Sequence, residues 1–88
     1  MIHNLKTDTE PFEATWSGNK DYEIRKNDRD FKVGDTLNLC ETVYSGEDMA
    51  EGLPLRFTGR NLKRLVTYIL EGYGLQDGWV ILSTKQQD

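Results

Sequence analysis

The sequence has one cysteine, Cys40, and one histidine, His3, in 88 residues. A single thiol excludes a disulfide scaffold and a Cys-based zinc site. A single histidine excludes a His-rich metal site, and a Ser-His-Asp triad would have to use His3, which reads instead as a partly exposed histidine at the start of a strand. No apolar run approaches the ~20 residues of a membrane span, so no membrane partner is expected. The first residues, Met1 to Thr7, lack a basic stretch followed by an apolar one, so no secretory signal is expected and the cytoplasm is the default location. Walker, dinucleotide-binding, HExxH and G-x-S-x-G patterns are all absent, and no cofactor or metal is expected. Basic charge is in deficit: 11 Lys and Arg stand against 15 Asp and Glu, a net charge of -4. Indiscriminate binding to nucleic acid is therefore disfavoured.

What is present suits one small domain spanning 1–88. For 10.2 kDa, surface scaling gives roughly 5,300 Å² folded against roughly 14,800 Å² unfolded, enough burial for one core. The mean hydropathy of -0.68 is low, but nine aromatic residues spread along the chain argue against disorder.

Ile2 to Lys6 reads as a first strand. Asp8 or Thr9 can cap a short helix in which Pro11 suits the first turn, Phe12 and Trp16 share a face, and Gly18 ends it. Tyr22-Glu23-Ile24-Arg25 alternates as a half-buried strand does. Asn27 to Asp30 and Gly34-Asp35 are turns. Thr36 to Val43 is a strand that places Leu37, Leu39 and either Cys40 or Val43 inward, with a bulge where the parity slips. The polar stretch at about 44–55 reads as a mobile loop. Asn61 to Leu70 fits both helical spacing and strand alternation; its run of β-branched and aromatic residues, Val66 to Ile69, favours strand. Trp79 to Ser83 is a closing strand, and the tail Lys85 to Asp88 is expected to fray. Five or six short strands with one early helix predict a mostly β, α+β barrel with the helix over one end.

Two clusters carry chemistry. On a strand, Glu23 and Arg25 share a face about 7 Å apart, and Lys20, just past the helix end, can reach the same rim. Arg25 can hold a phosphate or a base acceptor, and Glu23 can accept from an exocyclic amine; spacing alone favours a surface cross-strand ion pair over that ligand site. In Thr58-Gly59-Arg60, glycine permits close backbone approach, Thr58 supplies a hydroxyl and Arg60 a fork of donors. A bulge at a strand start is the alternative there. Lys6, Asn27, Arg29 and a stacking aromatic, Tyr68, complete the candidate ligand-binding set.

Leu5-Lys6-Thr7, Phe12, Trp16 to Lys20, Glu23 to Arg29 and Phe31 to Asp35 together resemble the ASCH superfamily of PUA-like domains. A small uncharacterised bacterial and phage family within that group also shows Thr58-Gly59-Arg60, Val66 to Leu70 and Gly78 to Ser83. The resemblance covers the chain apart from the 44–55 segment. It implies a PUA-like pseudo-barrel of five to six strands, with the N-terminal helix covering its mouth, a strand at 61–70, and an RNA- or nucleotide-binding cleft between helix and barrel. Some ASCH relatives are amidohydrolases acting on an acylated cytidine through a lysine in a G-x-K motif, a threonine three residues later and a glutamate elsewhere. Lys20 matches that lysine, but position 23 carries Glu23 in place of threonine. The resemblance therefore points to binding ahead of hydrolysis, in which Lys20 and Glu23 would be the catalytic pair. An interaction module without a nucleotide ligand is the remaining alternative. Oligomeric state is not legible.

Overall fold

The structure, a computed structural model, describes residues 1–87. Its elements are β1 (Ile2–Thr7), α1 (Thr9–Trp16), β2 (Tyr22–Lys26), β3 (Thr36–Thr42), α2 (Gly46–Ala50), β4 (Phe57–Glu71) and β5 (Trp79–Gln86). The strands form one sheet in the order β1-β3-β4-β5-β2. The β1–β3 pair is parallel and the other three pairs are antiparallel. β1 and β2 are thus the two edges. In a flat sheet they would lie about 19 Å apart, four strand spacings. Yet the Arg25 guanidinium on β2 donates to the Lys6 carbonyl on β1 at 3.1 Å. The sheet therefore curls into a half-barrel whose edges meet along a seam, bridged by a side chain.

Strand alternation builds the core. Leu5, Leu37, Leu39, Val66, Val80 and Leu82 point inward and are buried with Phe12 from α1 and Phe31 from the turn region. Fully burying Phe12 contributes about 1.5–3 kcal/mol and fixes α1 against the sheet. α1 lies across the end at which β1 and β3 finish and β2 and β4 begin. Asp8 stands at the N-cap position, where its carbonyl accepts from the Phe12 amide at 3.0 Å but its side chain makes no cap bond; its carboxylate instead accepts from the Gly46 amide at 3.0 Å. Gly18, at φ +85, takes the left-handed turn that releases the chain from the helix.

Four expectations change. The inward position after Leu39 belongs to Glu41, which is buried, while Cys40 is half-buried and Val43 is exposed. The bulge expected in this strand is present: the register shift falls between Cys40 and Thr42, opposite Thr58-Gly59-Arg60, with Gly59 at φ +95. The 44–55 segment contains a helix, α2, held by a capping box in which Ser45 and Asp48 bond each other's backbone amides. The tail is paired as far as Gln86, and the Gln87 side chain accepts from Thr36 Oγ1 at 2.6 Å; Asp88 lies outside the described residues. His3 is buried, not partly exposed: its Nε2 meets Asp35 Oδ2 at 2.8 Å and its ring packs edge-on against Phe31 at 4.8 Å. Burial pushes the Asp35 carboxyl up, but the His3 contact, the Lys32 amide and the terminal ammonium outweigh it and hold the group below its ordinary value. No helix is long and apolar enough to cross a membrane.

Candidate functional site

The end of the half-barrel under α1 holds two buried glutamates, Glu23 clamped by two cations and Glu41 by one. Glu23 faces inward from β2, only 4% exposed. Its Oε1 accepts from Arg25 Nε at 3.1 Å and Arg25 Nη2 at 2.8 Å. Its Oε2 accepts from Lys20 Nζ, which also reaches Thr15 Oγ1 on α1 at 3.5 Å. Arg25 completes its fork on Thr7 Oγ1 at 3.3 Å and the Lys6 carbonyl. Period-two alternation sets this up by placing residues 23 and 25 on one face, and the turn after α1 delivers Lys20 to the same point. The expected convergence of Lys20, Glu23 and Arg25 is thus present. Arg25 is a strut in it, with one Nη1 N–H left for a ligand.

Glu41 faces inward from β3. It accepts from Arg60 Nε at 2.9 Å, Arg60 Nη2 at 2.8 Å and Thr58 Oγ1 at 2.7 Å. Arg60 Nη2 also meets Glu13 on α1, and the guanidinium lies 5.1 Å from the Phe12 ring centre and 5.2 Å from that of Trp16. The Arg60 hydrogen bond draws the Glu41 carboxyl below its ordinary value; burial opposes this, and Thr58 adds to it. The bulge at Gly59 aims Arg60 at Glu41. Thr58 and Arg60 therefore brace α1 and lie apart from the Lys20–Glu23–Arg25 cluster. Glu41 itself escaped sequence reasoning; the arginine needed to bury it lies 19 residues away in sequence.

Two clefts flank the seam. One of about 230 Å³ is lined by Lys6, Thr7, Pro11, Lys20, Glu23 and Arg25, among others. One of about 350 Å³ lies further along, with Lys6, Arg25, Lys26, Arg29 and Trp79 in its walls. Lys6 and Arg29 make no ion pair among the described residues. Asn27 serves the turn: its side chain accepts from the Phe31 amide at 3.1 Å. Tyr68 is turned away. The β4–β5 register shifts between Val66 and Tyr68, so Tyr68 is 58% exposed and Ile69 takes the place against the core. It lines neither cleft. Among the described residues, no group of three or more His, Cys, Asp and Glu could hold a metal ion.

These features define a small α+β half-barrel with a cation-lined seam beside an ion-clamped helix. The chain belongs to the family described as a domain of unknown function, DUF3850, which matches residues 2–84. It is also similar to an uncharacterised 12.9 kDa protein in the GpA 3′ region of Escherichia phage P2, 32% identical over 81 residues. That alignment covers 92% of this chain and 65% of the phage protein.

Proposed function

We propose that this chain is a nucleotide- or RNA-binding module of the ASCH, PUA-like kind, with its ligand in the seam between β1 and β2 beside α1. The observation that carries this reading is where the positive charge collects. On a chain of net charge -4, Lys6, Lys20, Arg25, Lys26 and Arg29 line the two clefts beside the seam, where they outnumber Asp8, Glu23 and Asp28. Glu23 neutralises part of that charge and holds Lys20 and Arg25 in fixed directions. Lys6 and Arg29 are left for phosphate, and the Trp79 ring offers a flat apolar wall for a base. Recognition by a pocket rather than a broad basic surface fits the acidic whole.

The alternative, an amidohydrolase acting on an acylated or modified cytidine, would need Lys20 released from Glu23 before its amine could attack. Titration of isotope-labelled protein with nucleoside 5′-monophosphates and short single-stranded RNA tests the binding reading. Amide shifts centred on Lys6, Arg25 and Trp79 are expected. The Lys6→Ala, Arg29→Ala double variant, which breaks no internal contact described above, should bind about tenfold or more weakly. No perturbation by any of these ligands overturns the reading and leaves an interaction module. Acetate release from N4-acetylcytidine that disappears in Lys20→Ala would establish the hydrolase instead.

A further inference from the structure

A third cleft, of about 270 Å³, opens on the other side of α1, between the end of that helix and the strands β4 and β5. Its walls are Thr15, Trp16, Gly18, Leu62, Arg64 and Gln86. Neither arm of the seam reaches it, and none of its residues except Thr15 touches the Lys20–Glu23–Arg25 cluster.

Arg64 is the unusual member. Arg25 and Arg60 are each forked onto a buried carboxylate. Arg64 is half-buried on the inner face of β4, between Leu62 and Val66, yet no carboxylate among the described residues lies within ion-pair distance. Its Nε donates to Thr84 Oγ1 at 3.1 Å and its Nη2 to the Thr84 carbonyl at 3.2 Å. That uses two of five N–H groups and anchors the fork in one orientation. Three donors remain without a protein acceptor among the described residues. Burial lowers the guanidinium's pKa, and Asp21 and Glu23 offset that only from a distance. A guanidinium held in one orientation, with no carboxylate among the described residues within ion-pair distance, has donors that an anion can take up.

The rest of the wall suits a particular occupant. The Gln86 amide can donate beside the guanidinium, whereas the Thr15 hydroxyl keeps its proton on the Pro11 carbonyl at 3.1 Å, and no acidic side chain lines the cleft. Such a donor set fits a phosphate, which has more acceptor positions than a carboxylate. The Trp16 ring touches Phe12 and the Arg60 guanidinium yet stays 52% exposed at the rim, so the indole surface left open can take an aromatic group attached to that phosphate. We propose that the cleft between α1 and β4–β5 is a second nucleotide site, in which Arg64 takes the phosphate and Trp16 the base. This inference rests on the reading of the chain as a nucleotide binder, and it adds a site that the seam does not include.

The two tryptophans separate the sites, because Trp16 lines this cleft and Trp79 lines the seam. In Trp79→Phe the remaining indole reports on the Arg64 cleft, and in Trp16→Phe it reports on the seam. Titration of Trp79→Phe with a nucleoside 5′-monophosphate is expected to quench the Trp16 emission, while the nucleoside lacking phosphate leaves it nearly unchanged. Adding Arg64→Gln should weaken that response at least about tenfold, the loss expected for a charge-assisted bond. Arg64→Lys, which keeps the charge and loses the fork, should weaken it in the same direction and serves if the glutamine variant does not fold. Inorganic phosphate alone, competing with the nucleotide, should restore the emission. The inference is overturned if Trp16 does not respond at millimolar nucleotide, or if both Arg64 variants that fold bind as the parent does. A Trp79 response in Trp16→Phe under those conditions would leave the seam reading standing while this one fails.

Discussion

At the scale of single residues, the end of the barrel is governed by carboxylates that are buried only because an arginine comes with them. Glu41 shows the consequence for pH. Its pKa in the folded chain lies below the ordinary glutamate value of 4.5, chiefly because Arg60 donates to it. A group whose folded pKa is depressed contributes stability above its unfolded pKa and loses that contribution as the pH falls through its folded pKa. The parent protein should therefore lose melting temperature as the pH drops below about 4.5. Glu41→Gln should show a shallower acid loss, although it starts from a lower stability at neutral pH. Arg60→Ala leaves the carboxylate buried without its counter-ion, so its deficit against the parent should be largest at neutral pH and should narrow on acidification. Melting curves of the three proteins between pH 3 and 7 check this; a constant gap between Arg60→Ala and the parent would refute the assignment.

At the scale of elements, α2 shows what a cap does for a helix too short to stand alone. Ser45 Oγ accepts from the Asp48 amide at 3.0 Å, and the Asp48 carboxylate accepts from the Ser45 amide at 3.3 Å. Five residues cannot repay helix nucleation by propagation. Ser45→Ala should therefore cost about 1 kcal/mol and release protection at Met49, Glu51 and Gly52, whose amides bond back into the turn. Hydrogen exchange that stays unchanged at those amides would show that α2 is held by something else.

Local pattern made much of this fold legible, and the exceptions have physical causes. β1, α1, β2 and β5 announced themselves through alternation, through the Phe12–Trp16 spacing and through Gly18. Lys20, Glu23 and Arg25 were legible together because a strand's period of two fixes their common face. Glu41 and His3 were not, because the burial of a polar group depends on a distant partner, here Arg60 and Asp35, that periodicity does not encode. Tyr68 was misplaced for a related reason. One extra residue in β4 reverses every later side chain, and no glycine or proline marks that point. α2 was missed because five residues, Gly46 to Ala50, are too few to show a helical period, and Glu47 and Asp48 give them the composition of a loop.

At the scale of the whole molecule, the half-barrel is closed by contacts of unequal kind. Backbone ladders hold β3, β4 and β5 in sequence, whereas β1 and β2 are joined by the fork of Arg25. Arg25→Met keeps the stem's apolar packing, removes the bridge and leaves Glu23 with Lys20 alone. Removing one partner of a buried ion pair costs about 3 kcal/mol at the lower end of the known range, which applies here because Lys20 still offsets part of the charge. Amide exchange should rise in β1 and β2 while β3 and β4 stay protected, as mass spectrometry of peptic fragments would report. Uniform acceleration over the whole sheet would mean that the seam is not a separate unit.

An exposed strand margin invites pairing with other chains, and proteins bury, charge or interrupt such margins to avoid it. Here the two margins are turned towards each other and flanked by Lys6 and Lys26, so neither is offered outward as a template. The arginine clasp that shapes the two clefts thus also governs how these margins meet, and a chain deprived of it should expose two strand edges at once, which a rise in aggregation of Arg25→Met would report.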